Sequence, residues 1–137
     1  MNENDKYELL QDNNLITIRF FPGVKLLSLV WHKDIKTCAL DILENLLDSI
    51  KSIVKNKMPG RLFNDMSDFA MCRKNFSSAM ALLEKFLNAM PFFSKEAYLL
   101  PVTDVITHMS ITHILDDRFS DTQIFLDSGD AMDWLLQ

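Results

Sequence analysis

Three aspartates, Asp65, Asp104 and Asp127, fall at or just beyond the C-terminal ends of segments that read as strands, the edge where open α/β sheets place ligand sites. Carboxylates gathered there can hold Mg²⁺ or move protons. Asp104 and Asp127 also stand where helices begin and so serve as caps, and nothing in the sequence supplies Asp65 with a catalytic partner. His108 and His113 are five residues apart, which on a helix separates them by about 140° and keeps both from facing one metal ion. His32 follows Trp31 at a strand end. Gly23, Gly60 and Gly129 are isolated, so the chain has neither a dinucleotide-binding nor a Walker-type phosphate loop. No Ser, Cys or His sits in a nucleophile-elbow pattern. The expectation is a protein that is not an enzyme, with no catalytic residues, no metal and no cofactor.

Ser77 and Ser78 open the helical run Phe76–Leu87. A phosphate on either would meet free N–H groups and the positive end of a helix dipole. The plainer reading makes Ser77, or Asn75, an N-cap worth about 1 kcal/mol. Methionines from Met58 to Met132, with Phe69, Phe76, Phe86, Phe92 and Phe93, enrich the middle of the chain in large adaptable side chains. Such residues fill irregular cores; the sharper reading is a groove for an apolar ligand or a partner helix. Phe92 and Phe93, adjacent in a loop after a helix end, are the exposed docking candidates, because such a loop does not need two Phe unless they pack on something.

Periodicity identifies the elements that hold these residues. Tyr7–Gln11 and Leu15–Phe20 flank Asp12-Asn13-Asn14 and read as a β-hairpin, since asparagines tolerate the positive φ of tight turns. Pro22-Gly23 breaks the second strand, and Val24–Trp31 reads as a third, with a helix as the alternative. From Asp34 to Lys57 apolar residues recur every three or four positions, predicting an amphipathic helix capped by Asp34 and ended by Pro59-Gly60. Leu62–Met66 is the next strand. The helix after it presents Phe76, Ala79, Met80, Leu83, Phe86, Leu87 and Met90 inward and stops at Pro91. Glu96–Leu100 is a strand; Thr103 or Asp104 then opens a helix with Val105, Ile106, Met109 and either Thr112 or His113 inward. Gln123–Leu126 is the last strand, and Asp127 or Ser128 caps a closing helix carrying Ala131, Trp134 and Leu135. The order βββαβαβαβα predicts an α/β fold with a mixed sheet: parallel strands joined by helical crossovers, and an antiparallel hairpin at the start.

The 137 residues make one domain, residues 1–137, with disorder expected only at residues 1–5. Hydrophobic residues at 48% with three Gly and four Pro describe a packed chain. The longest apolar run, Val24–Trp31, is interrupted by Lys25 and Ser28 and falls short of the roughly 20 residues of a membrane span. The first residues lack the pattern of a signal peptide, so the expected location is cytoplasmic. Cys38 and Cys72 then read as free thiols. The net charge of −5 comes entirely from residues 116–137, where Arg118 stands among six Asp, including Asp116 and Asp117. No basic stripe exists, which argues against nucleic-acid binding, whereas the acidic end suits steering of a basic protein partner.

The closing segment Phe119–Leu135, with Ala131, Trp134 and Leu135 after an acidic cap, resembles STAS-like domains, small bacterial domains similar to the anti-sigma-factor antagonists. With looser agreement in element order the resemblance extends over roughly 34–136. It implies a non-enzymatic regulatory or scaffolding domain that works by docking on a partner protein. In the antagonists a Ser at the start of the helix after a central strand, within Asp-Ser-Ser-Gly, is phosphorylated. The matching residues here are Phe76-Ser77-Ser78-Ala79, with Phe in place of Asp and Ala in place of Gly. The rival expectation is a carrier of a small apolar, lipid-like ligand. The partner's identity and the oligomeric state are not encoded in any of these residues.

Overall fold

In the computed structural model, which describes residues 5–91, 93–116, 118 and 121–137, the alternation of strands and helices becomes a six-stranded mixed sheet. The strands β1 (Glu8–Asp12), β2 (Ile16–Phe21), β3 (Leu26–Trp31), β4 (Arg61–Asp65), β5 (Lys95–Leu99) and β6 (Thr122–Phe125) lie side by side in chain order. The pairs β1·β2 and β2·β3 are antiparallel; β3·β4, β4·β5 and β5·β6 are parallel. The helices are α1 (Leu40–Lys57), α2 (Phe76–Ala89), α3 (Val105–Asp116) and α4 (Ser128–Leu135). The expected disorder of residues 1–5 concerns, apart from Asp5, positions outside the described residues.

Each parallel crossover moves one strand over in the same direction, and crossovers of one hand therefore put their helices on one face. Side chains of α1, α2 and α3 accordingly share a large core with Ile16, Ile18, Leu27, Leu29, Trp31, Leu62 and Tyr98. α4 follows the last strand and covers the opposite face, where Ala131 and Leu135 meet Leu26, Phe63, Ala97 and Leu99. Strand interiors are continuous runs of buried residues, as a sheet covered on both faces requires.

Several local expectations are corrected. The N-terminal hairpin forms, but its asparagines do not take positive φ. Instead Asn13 Oδ1 accepts from the N–H groups of Leu15 and Ile16, at 2.8 and 2.9 Å, an Asx turn that does the work of a left-handed residue. The third strand starts at Leu26, because Val24 and Lys25 complete a turn in which Lys25 takes φ 52°. Asp34 does not cap the long helix. A 3-10 turn at Lys33–Thr37 buries Ile35 directly beyond Trp31, Cys38 and Ala39 are extended, and only then does α1 begin. The Asp34 carboxylate accepts from Asn14 Nδ2 at 3.2 Å instead.

The largest correction concerns α3. Val105, Ile106 and Met109, expected inward, are 66, 58 and 65% exposed, and the buried positions are Thr107, Ile111, Ile114 and Leu115. Apolar residues lie on both sides of this helix, so periodicity carries almost no information on which side meets the sheet.

Candidate functional site

The C-terminal edge of the parallel strands gathers the chain after β4, the N-terminus of α2, the chain after β5 and the N-terminus of α3. Of the three aspartates at that edge, each already has a structural partner. Asp65 Oδ1 accepts from Ser67 N–H at 3.0 Å and Ser67 Oγ at 2.5 Å. Asp104 Oδ1 accepts from Thr107 N–H at 3.1 Å, capping α3; that bond holds its carboxyl below the usual range, helped by Lys36 and opposed by partial burial. Asp127 Oδ1 caps α4 through Asp130 N–H at 2.9 Å, which lowers the Asp127 carboxyl and, through the bond and charge of Asp127, raises that of Asp130. Among the described residues no three His, Cys, Asp or Glu side chains come together as a metal site would require.

Ser77 and Ser78 lie in the first turn of α2 and are exposed. Neither is the cap. Asn75 occupies that position without a side-chain hydrogen bond, because a 3-10 turn at Arg73–Asn75 runs directly into the helix. Ser77 opens instead onto a cleft of about 690 Å³ shared with Lys36, Arg73, Phe76, Asp104 and Ile106. A smaller hollow of about 230 Å³, bounded by Lys33, Lys36, Asp68 and Thr103, adjoins it through Lys36 and Asp104. From Ile106 the exposed side chains of Val102, Val105 and Met109 extend an apolar surface over the start of α3.

Of the remaining expected docking residues, Phe93 and Asp116 are described. Phe93 is 4% exposed and belongs to the main core, so its ring offers no docking surface. Phe92 and Asp117 lie outside the described residues. Asp116 is exposed at the end of α3. Two of the three histidines serve separate local bonds: His32 Nε2 pairs with Thr17 Oγ1 at 2.7 Å and His108 Nδ1 with the Pro101 carbonyl at 3.0 Å. Cys38 and Cys72 are free thiols, and burial pushes the Cys38 thiol up.

What the sequence reading missed is a buried polar chain on the helical face of the sheet. Trp31 Nε1 donates to Asn64 Oδ1 at 2.9 Å, and Tyr98 OH donates to Glu96 Oε1 at 2.9 Å. Arg118 Nη2 reaches Glu96 Oε2 at 2.7 Å, while its guanidinium also donates to the carbonyls of Leu87 and Pro91. The cation thus sits at the C-terminal end of α2, where free carbonyls and the dipole favour it. Burial first, and the Glu96 charge second, push the Tyr98 hydroxyl well up, so it donates rather than ionises; Arg118 and Asn64 oppose this less strongly. Two signals for it stand in the sequence: Glu96 and Tyr98 two apart on one strand face, and Arg118 alone among aspartates.

A second cleft, of about 590 Å³, opens at the other end of the strands between the C-termini of α1 and α2, with Val54, Met58, Met90 and Pro91 as walls and Lys51 and Lys55 at its rim. No described helix is long and apolar enough to cross a membrane. Comparison with protein-family models, with curated proteins and with solved structures finds no match to this chain.

Proposed function

We propose that the chain is a non-enzymatic regulatory or scaffolding domain that acts by docking on a partner protein through the start of α3 and the adjoining Ser77 cleft. The observation that carries this reading is the exposed apolar surface of Val105, Ile106 and Met109, three large side chains left in water on a helix whose other side is buried, with Val102 exposed just before it. Apolar surface of this kind, with Lys36, Arg73 and Asp104 beside it at Ile106, marks interaction sites. The STAS-like resemblance supports the same class of function. In that reading a phosphate on Ser77 would stand at the α2 N-terminus beside Lys36 and Arg73 and would change the charge of the docking face. Capture of one stoichiometric protein partner by the wild type, lost in Ile106→Asp and Met109→Asp while thermal unfolding is unchanged, is the expected result. Equal capture by all three proteins would refute the α3 surface.

A second reading, carriage of a small apolar ligand with an anionic head, is favoured by the cleft between Val54, Met58 and Met90 with Lys51 and Lys55 at its mouth. Native mass spectrometry separates the two. A retained lipid-like mass, absent from a Lys51→Glu, Lys55→Glu variant, would establish the carrier.

A further inference from the structure

A helix with apolar residues on both sides is normally buried on both, yet α3 leaves Val105, Ile106 and Met109 in water. The groove beside them is longer than the Ser77 cleft alone. A further cleft of about 330 Å³ is walled by Met80 and Glu84 of α2 and by Met109, Ser110 and His113 of α3. Ser77, Met80 and Glu84 follow one another at helical spacing along α2, as Ile106, Met109 and His113 do along α3, so the two clefts are consecutive reaches of one groove between the two helices. Both helices are crossovers between parallel strands and run in the same direction, which gives the groove two unlike ends. Where the helices begin it carries Lys36 and Arg73; two turns further along it carries Glu84 and His113. Arg73, Glu84 and His113 are exposed, and among the described residues neither Arg73 nor Glu84 forms an ion pair.

We infer that this groove is the face of a homodimer, in which a second copy of the chain lies with its α2 and α3 antiparallel to those of the first, about a twofold axis passing near Met80 and Met109. Met80 stands between Ser77 and Glu84, and Met109 between Asp104 and His113, so the axis exchanges the two ends of the groove. Lys36 and Arg73 of each copy then meet Glu84 of the other, Asp104 meets His113, and Ile106 and Met109 of both copies form an apolar centre inside a charged rim. Each copy thus supplies a carboxylate to the other's basic cleft. A parallel pairing would set like charges against each other at both ends. This self-complementarity decides for a second copy over an unrelated helix, and closed twofold association is also the commonest kind. The inference rests on the reading of the α3 surface as a docking face and names its occupant at high protein concentration. Three large apolar side chains per copy make a small interface and a weak dimer, so at the low micromolar concentration of a thermal melt the chain is monomeric and the face is open to a partner protein.

Sedimentation equilibrium of the intact chain, from low micromolar concentration up to about 1 mM, tests this. The wild type should pass from monomer to dimer across that range, and Ile106→Asp and Met109→Asp should stay monomeric throughout. Arg73→Glu and Glu84→Arg, both at exposed positions, should each weaken the dimer about tenfold, because the twofold axis repeats every contact. Mixed in equal amounts, these two variants should regain most of the wild-type affinity, since the mixed dimer again sets opposite charges against each other at both ends. Mixing repairs no folding defect within a single chain, so the rescue is independent of any change in stability. The proposal is overturned if the wild type stays monomeric up to about 1 mM, if Ile106→Asp dimerises as the wild type does, or if the mixture associates no more tightly than either variant alone. A monomeric wild type whose capture of a partner protein is still lost in Ile106→Asp overturns the dimer and keeps the docking face. A dimer that captures no partner at low micromolar concentration keeps the dimer and refutes the regulatory reading.

Discussion

Glu96 and Arg118 form an ion pair at 2.7 Å with side chains 0 and 3% exposed, joining the fifth strand to the segment between α3 and β6. Two charges taken out of water are costly, and their geometry must be good to offset that; the Tyr98 hydroxyl and the carbonyls of Leu87 and Pro91 supply further partners. Removing one partner strands the other. Arg118→Met should therefore lower the unfolding free energy by about 3–5 kcal/mol. Replacing both, Glu96→Leu with Arg118→Met, should recover most of that loss. The remainder includes the Leu87 and Pro91 carbonyls without their donor and the Tyr98 hydroxyl without its acceptor, the last worth about 1–3 kcal/mol and removed by adding Tyr98→Phe. Urea unfolding of the single, double and triple variants checks the order; a single variant within about 1 kcal/mol of the wild type would show that the pair is not desolvated.

Ile106 and Ile111 are five apart on α3 and have opposite fates, one 58% exposed and the other fully buried. Ile111→Ala should cost about 2–5 kcal/mol, whereas Ile106→Asp should stay within about 0.5 kcal/mol of the wild type. Leu46→Ala on α1, at a position 6% exposed, belongs with Ile111. Thermal melts of the three separate the observed packing of α3 from the face its composition would equally allow; a large loss in Ile106→Asp would refute the assignment.

That contrast also shows where the amino-acid pattern stops being informative. α1 was legible because its polar residues leave one apolar stripe, and Leu43, Leu46, Leu47, Ile50 and Val54 are all buried. β4 and β5 were legible because short apolar runs between turn signals, alternating with helices, admit a parallel sheet. α3 was not, since Val105, Ile106, Met109, Ile111, Ile114 and Leu115 surround the axis and only tertiary packing selects a side. The ends of elements shifted where side chains took over backbone bonding, as Asn13 does in the first hairpin. At the candidate site Ser77 is where the strand and helix order puts it, while Phe93 is lost to the core because sequence does not reveal how a loop turns. The Glu96 to Arg118 pair spans 22 residues, a separation that no local pattern reports.

Asp104 caps α3, and its carboxyl is held below the ordinary value of 3.8 chiefly by the Thr107 N–H. A carboxylate with a depressed folded value contributes stability that is complete above its unfolded value and is lost as pH falls through the folded one. Asp104→Ala should cost about 0.5–2 kcal/mol at neutral pH, the range for N-cap removal. The difference in melting temperature between wild type and Asp104→Asn should be constant from neutral pH down to the ordinary carboxylate range and shrink on further acidification. A gap independent of pH down to full protonation would mean that the carboxylate's charge adds nothing to the cap.

Met58 ends α1 at φ 50° and ψ 53°, the left-handed conformation that glycine usually supplies at a helix C-terminus. Its N–H bonds the Val54 carbonyl at 2.9 Å, so the backbone geometry satisfies an orphan acceptor at the expense of a Cβ clash. The side chain is 77% exposed and returns little packing energy. Met58→Gly should therefore raise stability by about 0.5–1 kcal/mol, the relief of left-handed strain less the added freedom of the unfolded chain. Met58→Val should lower it, because a β-branched residue is least tolerant of positive φ. The same side chain walls the cleft between α1 and α2, which gives the substitution a second readout. If an apolar ligand occupies that cleft in the purified protein, Met58→Gly should release it while raising the melting temperature. A protein acting by contact alone shows the gain in stability with no change in native mass.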